Sequence, residues 1–447
     1  MRKTYRIESF GCQMSMHDAE RMAGLLDREG YEPAAGGAEA DVVVINTCSV
    51  REHAEEKLYT RLGEIRAGVD RTGRRPVVAV TGCVAQQEGE AIRRRAPLVD
   101  VIVGTQAVRR LPALVREADT GPAAAPLVDV NPYDDVSFPL GVTRRSDAVK
   151  AYVTIIEGCN DHCAFCVVPY TRGHERMRPA AQILAEVQEA ADSGRREVHL
   201  LGQIVNHYRA PDDPGCDFAA LLGRVAAVGG IDRIRFASPH PRHVTARLIA
   251  AYQALPTLCR HLHLPVQSGS TRILAAMRRR HTREEYLDLV ERLRAALPDL
   301  AISTDLIVGF PGETARDFDD TLSLVRAVGF SSLFSFKYSP RPHTLARARL
   351  VDDVPELEKT RRIVALQQVQ KDLQARHHAA LVGSTAEVLA DGESRRRPGE
   401  LAGRTSTNTV VNFPGESRWI GRFVHVRLER AGPHSLWGRP VFVEEGR

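Results

Sequence analysis

At 447 residues the chain is too long for one ordinary domain, and about two to four are expected, each able to bury its own core. Hydrophobic residues at 43% and charged residues at 26% exclude a collagenous or disordered chain, and no apolar run is long enough to span a bilayer. A net charge of +5 permits an RNA partner without establishing one. The opening MRKTYRIESFGCQM has no uninterrupted apolar segment, so export is not expected and a cytoplasmic location is. In a reducing compartment, eight cysteines are better read as metal ligands than as a disulfide framework.

Residues 1–118 read as strands alternating with helices. TYRIESF (4–10), DVVVINT (41–47), VVAVTG (77–82) and VDVIVG (99–104) are strand-like, while DAERMAGLLDREG (18–30) and AQQEGEAIRRRA (85–96) have helical spacing. This alternation predicts an α/β domain with a parallel sheet. Residues 119–146, rich in Ala, Pro, Gly and Asp and without periodicity, are expected to form a linker.

The alternation resumes over 147–375. Six strand candidates, YVTIIEG, EVHLLGQIV, IDRIRFAS, LHLPVQS, AISTDLIVGF and SSLFSFKYS, are separated by helical stretches such as AAQILAEVQEAADSG and REEYLDLVERLRAAL. Six βα units predict a partial or complete barrel with its reactive mouth at the C-terminal strand ends; whether it closes is left open. The helical run VPELEKTRRIVALQQVQKDLQARHH then leads to 376–447. There STAEVLAD, NTVVNF, FVHVRLERA and RPVFVEE alternate with Gly and Pro turns, as in a small antiparallel β-barrel.

Cys159, Cys163 and Cys166 follow the first central strand at C-x3-C-x2-C spacing. Three thiolates from one loop can hold three irons of a 4Fe-4S cluster and leave the fourth open. A zinc loop is the competing reading, but the spacing differs from paired C-x2-C sites, and His162 lies awkwardly between two of the cysteines. Cys12, Cys48 and Cys83 each end a predicted parallel strand and so share one sheet edge, where ligands commonly bind. A second cluster is expected there, with buried structural thiols as the alternative. Cys216 and Cys259 lack a partner pattern and are expected to be structural.

The cysteine loop, with Phe165 just before its third cysteine, resembles that of radical S-adenosylmethionine (SAM) enzymes. With SFGCQMSMHDAERM, INTCSVREHAEEKLY, TGCVAQQEGE, LHLPVQSGSTRILAAMRRRHTREEY and STDLIVGFPGET, it resembles the methylthiotransferase family over nearly the whole chain. The tail resembles a TRAM domain, and CVVPYTRG and GRTSTNTVVNFPG resemble most the members acting on tRNA that carries N6-isopentenyladenosine. Met177 and His174 in GHERMRP, Ile204 in LLGQIVNHY, and RPHTLA in place of RPGTPA depart from the family pattern.

The resemblance implies a central radical SAM core and two 4Fe-4S clusters. One, on Cys159, Cys163 and Cys166, binds SAM; the auxiliary one, on Cys12, Cys48 and Cys83, presents sulfur. It implies conversion of N6-isopentenyladenosine at position 37 of tRNA to the 2-methylthio derivative in two SAM-dependent steps. The protein is then expected to be a monomer served by an electron donor and a sulfur source that the sequence does not identify. Adenine C2–H is an unactivated aromatic bond that no side-chain base removes at neutral pH, so radical chemistry carried by a cofactor is required. Phe165, Gln203 and Ser268 are expected SAM contacts, with strand-end hydrogen bonding as the alternative for the last two. VGFPGE (308–313) is read equally as a cofactor-facing loop or a plain turn. Arg404 and Arg422 are expected to meet RNA, Phe413 and Trp419 to fill the tail's core, and the basic stretch at 278–281 to be a solvated helix end. The competing functions are methylthiotransfer to threonylcarbamoyladenosine in tRNA or to ribosomal protein S12, and a non-catalytic iron-sulfur RNA-binding redox sensor.

Overall fold

A computed structural model describes residues 2–36, 38–49, 52–121, 126–131, 141–395 and 397–443, with the side chains of Glu52 and His53 left out. The N-terminal strands are β1 (Thr4–Phe10), β2 (Glu32–Pro33), β3 (Val42–Thr47), β4 (Val77–Gly82), β5 (Val101–Val103) and β6 (Leu127–Asp129). They form one parallel sheet in the order β2-β1-β3-β4-β5-β6. The central strands are buried on both faces, which explains their unbroken apolar runs. Val42 and Val44 pack with Met22 and Leu26 of helix Gln13–Arg28, whereas Val43 and Ile45 pack with Leu58 and Leu62 of helix Glu52–Thr72.

Two expectations for this region need correction. Part of the expected linker, Leu127–Asp129, is strand β6, in parallel register with β5. Three residues are too few to show a period in sequence, and their partner is a sheet edge that only folding supplies. Further on, Arg144 N–H donates to Glu20 O at 3.0 Å and Ser146 N–H to the Glu20 carboxylate at 2.9 Å, so this end of the stretch lies on helix Gln13–Arg28. Residues 122–125 and 132–140 of the expected linker lie outside the described residues. The helix expected over 85–96 is two, Cys83–Glu88 and Ala91–Arg95, broken at Gly89 with φ +50°.

The central strands are β7 (Lys150–Thr154), β8 (Ile156–Glu157), β9 (Arg176–Met177), β10 (Glu197–Leu201), β11 (Arg233–Phe236), β12 (His261–His263), β13 (Ala301–Val308) and β14 (Ser332–Lys337). Parallel β7-β10-β11 and parallel β12-β13-β14 form two halves, joined by the Ile234–Leu258 bridge. Among the described residues no ladder joins β14 to β7, so the (βα)6 barrel is partial. The β8–β9 hairpin was not anticipated; two-residue strands leave no pattern.

Helix Glu356–Leu381 packs along β14 and leads to β15 (Thr385–Glu393), β16 (Glu400–Arg404), β17 (Val410–Pro414), β18 (Phe423–Ala431) and β19 (Leu436–Val443). These close a barrel in the order β15-β16-β17-β19-β18, antiparallel except for the β17–β19 pair. Glu444 and Glu445 of the expected last strand lie outside the described residues. The small barrel docks where β7, β10 and β11 begin: Lys150 pairs with Asp391 at 3.1 Å, Arg233 with Glu387 at 2.9 Å, and Arg196 donates to Gly421 O at 3.1 Å. The opposite, C-terminal strand ends remain as the mouth.

Candidate iron-sulfur and cofactor site

The first cysteine loop leaves the mouth through Gly158, at φ +78°. A Cβ there would lie 2.1 Å from His174 O, so only glycine lets the chain turn into Cys159. Cys159 N–H donates to Gly173 O at 3.1 Å and Ala164 N–H to Met277 O at 2.9 Å, while Ala164 O accepts from Ala346 N–H at 2.8 Å. The loop is thus pinned from three directions. Asp161 adds a charged anchor, 3.4 Å from Arg242 and 3.7 Å from Arg280.

Burial pushes the Cys159 thiol up to about 11 and Cys166 up to about 12, so both are neutral while only protein surrounds them. Iron would compensate the thiolate charge that burial opposes. Arg279 Nη1 approaches Cys163 Sγ at 3.6 Å, and its Nη2 donates to Pro265 O at 2.9 Å. Arg279 and His281 are buried, so the expectation of a solvated basic end over 278–281 fails for these two. A run of arginines reads as solvated until tertiary contact supplies a thiol and a carbonyl.

Cys12, Cys48 and Cys83 follow β1, β3 and β4, three adjacent strands. Cys12 caps helix Gln13–Arg28 and Cys83 opens helix Cys83–Glu88. The thiols are in mutual contact: the hydrogen bond from Cys48 holds Cys12 down to about 5 and Cys83 to about 7, with the Arg172 charge adding to both. Cys48 is correspondingly pushed up, by its hydrogen bonding with Cys12 and Cys83 and by burial. Gly11 has no room for a side chain, since a Cβ would meet that of Cys48 at 2.6 Å.

Among the described residues no group of three His, Cys, Asp or Glu side chains is arranged to hold a single metal ion. The donors are two sets of three thiols, which is the donor chemistry that 4Fe-4S clusters take. Both sets fit such a group.

Arg172 links the two sets, and the sequence reading missed it. It is the next-to-last residue of the CVVPYTRG stretch that starts at Cys166 and is buried with Asp18, its Nη2 donating to the carboxylate at 2.5 Å. Its own carbonyl accepts from Gln106 Nε2 at 3.0 Å. Helix Val168–Thr171 packs directly on helix Cys83–Glu88. The two cysteine sets therefore sit on abutting elements.

Gln203 and Ser268 lie at the C-terminal ends of their strand regions. Gln203 Oε1 is shielded and without a hydrogen-bond partner, as is His240 Nε2. Because His240 Nδ1 accepts from Arg242 N–H at 3.1 Å, its Nε2 carries the hydrogen. Orphaned polar atoms at this mouth suit a polar ligand. Ser268 Oγ instead accepts from Ser270 N–H at 3.2 Å, the strand-end alternative. The Phe165 ring packs against the cluster that holds Ile273, Met277, Phe310 and Tyr338. In VGFPGE, Gly309 N–H donates to Glu313, which pairs with Arg362 of the long helix at 2.6 Å, so this segment is a braced turn. Arg404 donates to Asn408 O at 3.2 Å within its own hairpin, its carbonyl accepts from Arg233, and Arg422 is half-buried. Phe413 is in the small barrel's core and Trp419 packs on it.

A cysteine triplet in a pinned loop at the mouth of a partial (βα)6 barrel places the molecule among radical SAM enzymes. Residues 153–325 match the Radical SAM superfamily, 4–104 the uncharacterized protein family UPF0004 and 379–441 the TRAM domain. Similar proteins include one from Alkalilimnicola ehrlichii, 48% identical, covering 98% of each chain, and one from Methylococcus capsulatus, 47% identical, covering 98% of this chain and 95% of its own. Both bear the name tRNA-2-methylthio-N(6)-dimethylallyladenosine synthase, and the present chain belongs to that family. Among solved structures, the radical SAM methyltransferase TsrM of Kitasatospora setae matches with a TM-score of 0.56 at 15% identity, over 78% of this chain and 74% of its own. That likeness is one of fold.

Proposed function

We propose that this chain converts N6-isopentenyladenosine in tRNA to its 2-methylthio derivative, with Cys159, Cys163 and Cys166 holding a SAM-binding 4Fe-4S cluster and Cys12, Cys48 and Cys83 a second one. The observation that supports the reading is the contact between helices Val168–Thr171 and Cys83–Glu88, the elements that follow Cys166 and begin at Cys83. A base drawn from its stack could then be served by both. The names borne by near-full-length relatives support the substrate.

When bound, SAM with its cluster supplies a carbon radical able to take the C2 hydrogen, and the auxiliary cluster supplies sulfur. The chain holds and shields these groups. Gly158 and the bonds to Gly173, Met277 and Ala346 fix the cysteine loop. Gln203 Oε1 would offer SAM a shielded acceptor and His240 Nε2, 3.9 Å from the Asp161 carboxylate, a donor. Arg172 holds positive charge beside Cys12 and Cys83, favouring thiolate. Among the described residues no helix is long and apolar enough to cross a membrane.

The test is anaerobic reconstitution with iron and sulfide, followed by SAM, a reductant and isopentenylated tRNA, with nucleosides read by mass spectrometry. The 2-methylthio nucleoside is expected. Its absence with both clusters loaded would sink the proposal.

A further inference from the structure

His343 sits at φ +64°, in the left-handed region where glycine rests without strain and where the resembled motif has glycine. The surrounding turn enforces this conformation. Thr344 Oγ1 donates to Arg341 O at 2.7 Å, Ala346 N–H reaches the cysteine loop at Ala164 O at 2.8 Å, and Arg341 pairs with Glu55 of the N-terminal domain at 3.6 Å. A strained residue held in place by its neighbours points to a use for its side chain. That side chain is exposed and lies against Tyr170, with ring centroids 5.6 Å apart and planes inclined by 33°.

Tyr170 is half exposed, at 50%, so one part of its ring is open to a partner. It stands on helix Val168–Thr171, four residues after Cys166, on the element that abuts the Cys83 helix. Exposed Arg347 and Arg349 follow in helix Leu345–Arg349. An exposed aromatic pair with cations beside it is how proteins hold unpaired nucleobases and their phosphates.

We propose that Tyr170 and His343 form a stacking platform for a nucleobase of the RNA next to the one being modified, with Arg347 and Arg349 meeting its phosphates. This rests on the tRNA reading above and adds where the loop is gripped: on the helix that abuts the Cys83 helix. Keeping the neighbouring base stacked on the protein lets the target base turn inward alone.

The experiment measures binding of a labelled anticodon stem-loop containing N6-isopentenyladenosine to the full chain with both clusters loaded, by fluorescence anisotropy without oxygen. Tyr170→Leu is expected to weaken binding roughly 5- to 100-fold, and Tyr170→Trp to keep it. His343→Gly should weaken binding several-fold while raising the melting temperature, since it relieves strain. Wild-type affinity in Tyr170→Leu overturns the platform, as does an equal loss in Tyr170→Trp, which would mark a structural role. A wild-type chain that fails to bind the stem-loop overturns the broader tRNA reading as well.

Discussion

Replacing Arg172 by Met tests the strut between the two cysteine sites. The Arg172 and Asp18 side chains are 6% and 5% exposed, joined by one 2.5 Å bond, and the helix that Asp18 belongs to is capped by Cys12. Burial opposes the Arg172 charge, while Asp18, Cys83, Glu157 and Cys12 around it sustain it. Methionine fills the space but leaves a buried carboxylate without its partner, which costs about 3–5 kcal/mol. At 1.36 kcal/mol per decade, local opening becomes roughly 10²- to 5 × 10³-fold more frequent. The assay is amide hydrogen exchange with mass spectrometry on the cluster-free protein, following peptides across 13–28 and 166–173. This local readout suits a multidomain chain whose two tryptophans, Trp419 and Trp437, both lie in the small barrel. Adding Asp18→Leu removes the orphaned charge and should restore most of the protection, a coupling of about 2–3 kcal/mol. Unchanged exchange in Arg172→Met, or a double variant no better than the single one, would refute the strut.

Two further outcomes follow from the site. Cys163→Ala should abolish formation of 5'-deoxyadenosine, whereas Cys48→Ala should retain SAM cleavage and lose the thiomethylated product; equal loss of cleavage in both would contradict a division of labour. His207 lies 3.0 Å from Glu175, whose hydrogen bond raises its pKa above the ordinary value of 6.5; Asp161 adds to this and Arg242 opposes it. The stacked His243 is lowered to about 4 by burial and stays neutral at neutral pH. The stabilisation is therefore complete below about pH 6.5 and lost as pH rises through the raised folded value. His207→Gln should lower the melting temperature slightly near pH 6 and not at all near pH 9, because an ion pair whose histidine is 44% exposed contributes only about 1 kcal/mol. A difference that does not change with pH would count against the pair.

The strand–helix alternation, the six-strand core and the β-rich tail were legible because local periodicity repeats over many residues. The six cysteines stood out because spacing and strand-end placement are one-dimensional signals. Strand β6, the β8–β9 hairpin and the Gly89 break were not legible, since two or three residues carry no period. The stretch over 278–281 misled for a different reason: composition records charge, while burial of Arg279 and His281 depends on remote contacts, of Arg279 with Cys163 and Pro265 and of His281 with the His240 ring. That the Arg404 carbonyl accepts from Arg233 at the start of β11 was likewise not legible, because the two residues lie far apart in sequence and meet only through docking of the small barrel.

The sequence alone determined the parts: two sets of three thiols, the elements that carry them, and the order of three domains. Only the tertiary structure decided that helices Val168–Thr171 and Cys83–Glu88 abut, that Arg172 reaches Asp18 across 154 positions of chain, and that Tyr170 meets His343. Ligand types and strand ends are properties of short windows. The meeting of remote windows is set by how whole elements pack, which no local pattern encodes.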